Sequence, residues 1–366
     1  MSFTYVDDLG PEKVIELYDP LAGLKAILVV DNTAAGPAVG GARMAPNVSA
    51  DECFRLARAM TFKNASAGLA HGGGKSVIFA DPAMPIAAKE KLIRAFARAI
   101  EEIEDYIVGP DMGTNEQAMA WIHDEIGRAA GLPRELGGIP LDEIGATGWG
   151  LAAAAEVAQA FCGLKMSGAR VAIQGFGAVG AHAARFLTQK GAVLVAASDS
   201  HGTVFDAEGI DVEALRGLKR EGRSVLDYAK GKKGPPEMVI GVQCDIWIPA
   251  ARPDVVTMKN VDQLKARLIL QGANIPIEFA AEQVLHARGV LSVPDFIANA
   301  GGVICAAVEY RGGTQAQAMD VIREKIMANT SEVLEASKRN SVTPREAATA
   351  MARKRIQRAM SFRRKD

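Results

Sequence analysis

The sequence predicts an α/β protein of two domains, one of them a doubly wound sheet of mainly parallel strands. Three observations carry this. The chain has 366 residues, more than twice the roughly 150 that one domain holds. Its middle third alternates continuous apolar runs with helical stretches, from RVAIQ at 170–174 to AVLVAAS at 192–198. Its first third also mixes short β-rich runs with helices, and the character changes near residue 146.

Residues 26–30 (AILVV), 38–44 and 76–80 (SVIFA) read as strands. Ser49 with Glu52 three places on is a capping box, and Cys53, Leu56, Ala57 and Met60 follow at helical spacing. Lys63 falls at the C-terminal end of that helix. A second helix is expected over about 87–104, a strand at 106–108, and a loop, GPDMGTN, leading into a helix near 115–129. Thr147 is placed to cap the Ala-rich helix that includes LAAAAEVAQAFC. RVAIQ, GFGAVG, a helix to about Lys190 and AVLVAAS then form a βαβ unit. Strands are expected at 245–249, 267–270 and 290–293, helices near 255–265 and 276–288, and an almost wholly helical end with segments at 314–338 and 343–361. The partition expected is 1–145, completed by the helices of 314–366, and 146–313 as the doubly wound domain, with a deep cleft between the two.

Charge and composition narrow the function. Lys plus Arg number 42 and Asp plus Glu 43, so a net charge of −1 offers polyanions no attraction, and neither nucleic acid nor membrane is expected as partner. The basic cluster at 353–365 reads as a solvated helix end. The four cysteines are far apart and form no metal or redox pair, so no metal is expected. No leader-like N-terminus and no long apolar window is present, which points to a cytoplasmic protein.

Gly175, Gly177 and Gly180 match G-x-G-x-x-G, placed after an apolar strand and opening a helix. The first glycine permits a tight turn, the second close approach of a pyrophosphate, and the third helix packing, while Ala178 and Val179 bring helix N–H groups to the phosphates. This is the Rossmann-like arrangement of a dinucleotide-binding domain. Asp199, nineteen residues after Gly180, stands near where an acid meets the adenine ribose, which favours NAD. The neighbouring Ser198, Ser200 and His201 leave NADP possible.

Lys63 and Lys75 flank a glycine-rich turn, and Gly72, Gly73 and Gly74 would let Lys75 enter a crowded site. Asp111 is a candidate proton carrier on a nearby loop. On residue types alone, two surface lysines and a turn aspartate explain the pattern equally well.

The segments VGGARM, MTFKNASAG, GGGKSVIFADP, GPDMGT, ATGWG, QGFGAVG, QGAN and PDFIANAGGV occur in this order between residues 39 and 303. In these the chain resembles the amino-acid dehydrogenases that act on glutamate, leucine, phenylalanine or valine. The resemblance implies reversible oxidative deamination of an L-amino acid to its 2-oxo acid and ammonia, with hydride passing to NAD. It implies that Lys63 holds the α-carboxylate beside the Gly40–Gly41 turn and Met60, that Lys75 activates water, and that Asp111 shuttles protons. Thr147 and Asn274 match positions that meet the nicotinamide half, and Ala250 and Ala251 end a strand beside the cofactor. There PAARPD departs from the family's frequent P-C-A-L-G.

Glutamate dehydrogenases of this family carry a lysine where Val39 stands and a serine where Ala306 stands. With Gly109 and Val303, these residues suggest an apolar substrate pocket. A branched-chain substrate is therefore expected first, an aromatic one second, glutamate third, and a non-catalytic nucleotide sensor last. The resemblance also implies a homo-oligomer.

Overall fold

The computed structural model describes residues 4–363. The chain divides into two compact units: the residues up to Pro140, Val303–Ala318 and the chain from Thr349 on form the first, and Leu141–Gly302 with Met319–Ala348 form the second.

The first unit contains β1 (Lys13–Asp19), β2 (Leu24–Asn32), β3 (Ala38–Met44), α1 (Ala50–Ser66), β4 (Gly72–Ile78), α2 (Ile86–Ala99), β5 (Tyr106–Pro110) and α3 (Glu116–Ile126). Its sheet runs β1-β2-β4-β3-β5, with β3 parallel to both β4 and β5 and β2 antiparallel to β1 and β4. Side chains alternate across it. Leu28, Val30, Ala42, Met44, Ile78 and Val108 pack with Phe96 of α2 and Met119 of α3, whereas Ile27, Val29 and Val77 pack with Cys53 and Ala57 of α1. The Ser49 side chain accepts the Glu52 backbone N–H and so caps α1.

Two differences from the sequence expectation have physical causes. β1 has no counterpart among the expected strands, because an edge strand buries little and its Val14 and Tyr18 are exposed. β4 starts at Gly72, not at Ser76, so the glycines before Lys75 are strand backbone. A Cβ on Gly72 would stand 1.7 Å from Asn32 O, and one on Gly73 2.0 Å from Thr61 N. These two glycines admit β2 and α1 rather than a ligand.

The second unit contains α4 (Leu141–Ile144), α5 (Ala146–Phe161), β6 (Arg170–Gln174), α6 (Ala178–Gln189), β7 (Val193–Ser198), β8 (Thr203–Phe205), α7 (Val212–Arg220), β9 (Lys232–Gly234), β10 (Ile246–Pro249), β11 (Leu268–Leu270), α8 (Phe279–Ala287), β12 (Leu291–Val293) and α9 (Asp295–Ala298). Three longer helices close the chain: α10 (Gly301–Tyr310), α11 (Gln315–Asn340) and α12 (Pro344–Met360). The sheet order is β12-β11-β10-β6-β7-β8-β9, parallel from β12 to β7, with β8 and β9 added antiparallel. The strand order reverses beside β6, which opens a crevice at the C-terminal strand ends.

α5 begins at Ala146 behind Gly145 in a left-handed conformation, so Thr147 lies inside the first turn and is not its cap. Residues 255–265 hold no α-helix but one short turn, Val261–Gln263; Val256 instead forms a parallel bridge to Ile277. The C-terminal helices were expected to join the first unit as a block. The structure splits them: Trp149 Nε1 donates to Met319 O at 2.9 Å and Arg323 pairs with Glu156 in the second unit. In the first unit, buried Glu309 accepts the backbone N–H groups of Gly131, Leu132 and Ile139. Among the described residues no helix is long and apolar enough to cross a membrane.

Candidate active site

In the first unit, alternation along β3 puts Val39, Gly41 and Arg43 on one face of the sheet. Lys75 of β4 and Asp111, just beyond β5, meet there: the Lys75 ammonium contacts Asp111 Oδ2, and both groups are largely buried. Gly41 makes the space for them. A Cβ at that position would lie 2.7 Å from Asp111 Cβ and 3.1 Å from Lys75 Nζ. Gly109 leaves open space over β5, since its Cβ would meet nothing nearer than Gly40 O at 3.9 Å.

Arg43 is a member of this cluster that residue patterns did not single out, although the same alternation that places Gly41 also places it. Its Nε lies 3.3 Å from Asp111 Oδ2 and its Nη1 2.5 Å from Glu52 Oε1. Burial pushes the Asp111 carboxyl up, but Lys75 and Arg43, with the Met112 N–H, outweigh it and hold the group below the ordinary carboxylate range. Thr114 Oγ1 takes the Asp111 N–H at 3.0 Å and donates to Ala42 O at 2.8 Å, which ties the Asp111 loop to β3. The group in contact with the Lys75 ammonium is thus a carboxylate, which the linear sequence placed on a separate loop.

Lys63 lies half-buried in the last turn of α1, three residues after Met60, and the adjacent Asn64 Nδ2 donates to Gly72 O at 2.6 Å. Gly40 is buried, and its carbonyl accepts the Tyr106 hydroxyl at 3.0 Å. Val303 and Ala306 occupy half-buried positions of α10, beside buried Ile304 and Cys305.

In the second unit, Gly175 has φ +93, and a Cβ there would lie 2.6 Å from Ala251 Cβ. Ala250 N donates to Gln174 O at 2.7 Å, so the two alanines of PAARPD close against the glycine turn. A Cβ on Gly180 would meet Gly175 O at 2.1 Å, which is the close helix–strand packing expected of the third glycine. Gly177 has no described atom within 4 Å of its Cβ position and precedes α6, which has no side-chain cap. The first-turn N–H groups of Ala178, Val179 and Gly180 are therefore open to an anion. A cavity of about 560 Å³ runs from this turn past Ser198 and Asp199 to Lys219 and Arg252. Its size, its cradle of small residues and its uncapped helix suit a dinucleotide.

Asp199 lines this cavity and is also bonded to its own loops. Its carboxylate accepts the N–H groups of His201, at 2.9 Å, and Val225, at 2.9 Å, the Ser224 hydroxyl at 3.1 Å, and the Lys219 ammonium at 2.8 Å. Burial raises its pKa, but Lys219 and these N–H groups bring it down to about 2. It is a hub for its own loops, and its charge is compensated before any ribose arrives. Asn274 Oδ1 accepts from Asn299 Nδ2 at 3.1 Å, and Thr147 Oγ1 lies 3.5 Å from where a Cβ on Gly302 would be. Among the described residues no group of three His, Cys, Asp or Glu side chains is placed to hold a metal.

Residues 137–364 match the model of the glutamate/leucine/phenylalanine/valine dehydrogenases, and residues 11–128 match the model of that family's dimerisation domain. A glutamate dehydrogenase of Aeropyrum pernix is 39% identical over 356 residues, covering 91% of this chain and 85% of that one. An NADP-specific glutamate dehydrogenase of Saccharolobus shibatae is 36% identical, covering 96% and 90%. Among solved structures, the hetero-hexameric glutamate dehydrogenase of Thermus thermophilus in its Leu-bound form superposes with a TM-score of 0.85 at 28% identity, covering 97% of this chain and 91% of that one.

Proposed function

The chain belongs to the glutamate/leucine/phenylalanine/valine dehydrogenase family and is an NAD(P)-dependent amino-acid dehydrogenase acting on a CH–NH₂ donor, and from this premise we propose its substrate and the work of its residues. The observation that carries the reading is the buried Lys75–Asp111 pair seated in the space Gly41 leaves.

An L-amino acid enters with its α-carboxylate on Lys63. Asp111, kept ionised by Lys75 and Arg43, takes a proton from the substrate ammonium so that the amine lone pair can support loss of hydride from Cα. Oxidised nicotinamide, when bound, accepts that hydride. Lys75 gives up its ammonium proton to solvent, and its neutral amine then takes a proton from the water that adds to the imine carbon; Asp111 returns its proton to the carbinolamine nitrogen, and as ammonia leaves the hydroxyl proton passes to Asp111. Gly175, Gly177 and the first-turn N–H groups of α6 would hold a pyrophosphate, and Thr147 and Asn274 would serve the nicotinamide half. NAD and NADP are both accommodated, because Lys219 offsets the Asp199 charge that would repel a 2′-phosphate.

Two lines of support diverge on the substrate side chain. Several relatives are glutamate dehydrogenases, which supports glutamate better than the branched-chain substrate expected from the sequence, and glutamate is the first reading. An apolar side chain is the second. It is favoured by Val39 and Ala306, which offer a γ-carboxylate no charge; a buried unpaired charge costs about 3–5 kcal/mol. Initial rates with Glu, Leu, Val, Ile, Phe and Trp, each with NAD and NADP, separate the readings. Turnover of Glu alone removes the apolar reading, turnover of apolar substrates alone removes glutamate, and no turnover of any removes both.

The match of residues 11–128 to a dimerisation domain supports a homo-oligomer. Exposed Val14, Tyr18 and Leu21 along and after the edge strand β1 suit that assembly.

A further inference from the structure

The loop that carries Asn274 is strained and held. Ile275 follows at φ +47, a left-handed conformation that a β-branched residue rarely adopts, and its side chain is exposed, so no packing of its own explains it. The restraints come from elsewhere. Asp295 Oδ2 accepts the Ile275 N–H at 2.9 Å, and Asp254 N donates to Ile275 O at 3.0 Å. Upstream, the N–H groups of Gly272 and Ala273 both reach Pro249 O at the end of β10. Asn299 fixes the Asn274 amide by donating to its Oδ1, which leaves the Nδ2 group as the donor side.

Behind this loop lies Arg345, in the first turn of α12. A cation at a helix N-terminus opposes the helix dipole, so its position needs another reason. Its Nη1 stands 3.0 Å from Asp295 Oδ1, its Nη2 donates to Gln271 Oε1 at 2.7 Å, and its Nε donates to Glu282 Oε2 at 2.5 Å. Gln271 and Asp295 bracket the loop, one before it and one bonded to its strained end. Gln271 Nε2 in turn donates to Glu282 and Ser292, while among the described residues Asp295 Oδ1 accepts no hydrogen bond and has the Arg345 charge as its compensation.

We propose that Arg345 is a positioning residue for hydride transfer: through Gln271 and Asp295 it holds residues 271–275 in the strained conformation that presents the Asn274 amide to the carboxamide of the nicotinamide ring. This rests on the dinucleotide reading of the second unit, and it assigns a far C-terminal side chain to cofactor geometry rather than to substrate chemistry.

The test uses the full chain with Arg345→Met, Arg345→Lys and the double variant Arg345→Met with Ile275→Gly. Three quantities are read: the dissociation constant of reduced cofactor from nicotinamide fluorescence without amino acid, KM and kcat for each substrate, and the melting temperature. Arg345→Met is expected to weaken cofactor binding and lower kcat, each by about tenfold, with the amino-acid KM unchanged and Arg345→Lys intermediate. Glycine holds a left-handed φ without restraint, so Ile275→Gly should recover part of the lost cofactor affinity. A lower melting temperature with unchanged cofactor affinity and kcat, or no recovery in the double variant, overturns the proposal. If Arg345→Met does not fold, Arg345→Lys with and without Ile275→Gly makes the same comparison. A wild-type protein that turns over no amino acid would defeat the functional reading alone, since the binding arm still reports the loop.

Discussion

Gly41→Ala places one methyl group where the reacting pair sits. The added Cβ would lie 2.7 Å from Asp111 Cβ, 2.9 Å from Pro110 O and 3.1 Å from Lys75 Nζ. Carbon atoms rest about 3.5–4.0 Å apart, so Asp111 must retreat by roughly 0.8 Å or more. Gly41 is not among the glycines with positive φ, so alanine suits its backbone conformation, and the conflict falls on the Asp111 and Lys75 side chains and on the Pro110 carbonyl. Overpacking of this kind costs about 1–3 kcal/mol of stability. A misplacement near 1 Å costs about 10²-fold in rate, so kcat should fall by about two decades, roughly 2.7 kcal/mol of barrier. The assay is the initial rate of cofactor reduction, paired with a thermal melt. Gly217→Ala in α7 is the control: no described atom lies within 4 Å of its Cβ position, and alanine should stabilise that helix by about 0.5–1 kcal/mol without changing the rate. A folded Gly41→Ala enzyme with kcat within about threefold of wild type would refute the account of the site, because a barrier change below about 0.7 kcal/mol means the pair was not displaced.

Three further outcomes are expected. Burial first, then Arg185 and Arg216, push the His182 imidazole down to about 4, so the folded state favours its neutral form; the resulting stability is present above pH 6.5 and is lost as pH falls toward 4. After solvent screening this amounts to about 2 kcal/mol, and His182→Gln should flatten that part of the pH dependence of urea unfolding. Glu309→Gln replaces one oxygen that accepts Gly131, Leu132 or Ile139 N–H by an amide donor, at a cost of about 2–3 kcal/mol, read as a lower melting temperature. Lys219→Ala uncovers the Asp199 charge, and the ratio of kcat/KM for NADP to that for NAD should fall by about tenfold; an unchanged ratio would show that the ion pair does not govern cofactor choice.

Much of the fold was legible because its strongest signals are periodic and local. The run RVAIQ with the glycines that follow marks β6 and α6, and the Ser49 capping box marks the start of α1. What escaped was decided by distant atoms. β1 alternates poorly because apolar Val14 and Tyr18 stand on its exposed side, opposite Ile15 and Leu17, and β8 and β9 are only three residues long each. Residues 255–265 look helical by composition, yet Val256 finds a partner in Ile277 that no local pattern announces.

The candidate site divides in the same way. Ordered motifs singled out Lys63, Lys75, Asp111 and the glycines 175, 177 and 180, since chemistry demands those residue types at those places in the chain. The chain alone thus determined the family, the α/β class and the residues available for catalysis. Only the tertiary structure decided which of them touch: it set Asp111 against Lys75, added Arg43, paired Asp199 with Lys219, and brought Arg345 behind the loop at 271–275. The physical reason is that contact energies fall off within a few ångströms, whereas these partners lie tens of residues apart in the chain. Which groups share a proton or an ion pair is therefore settled by packing and by no feature of the linear order.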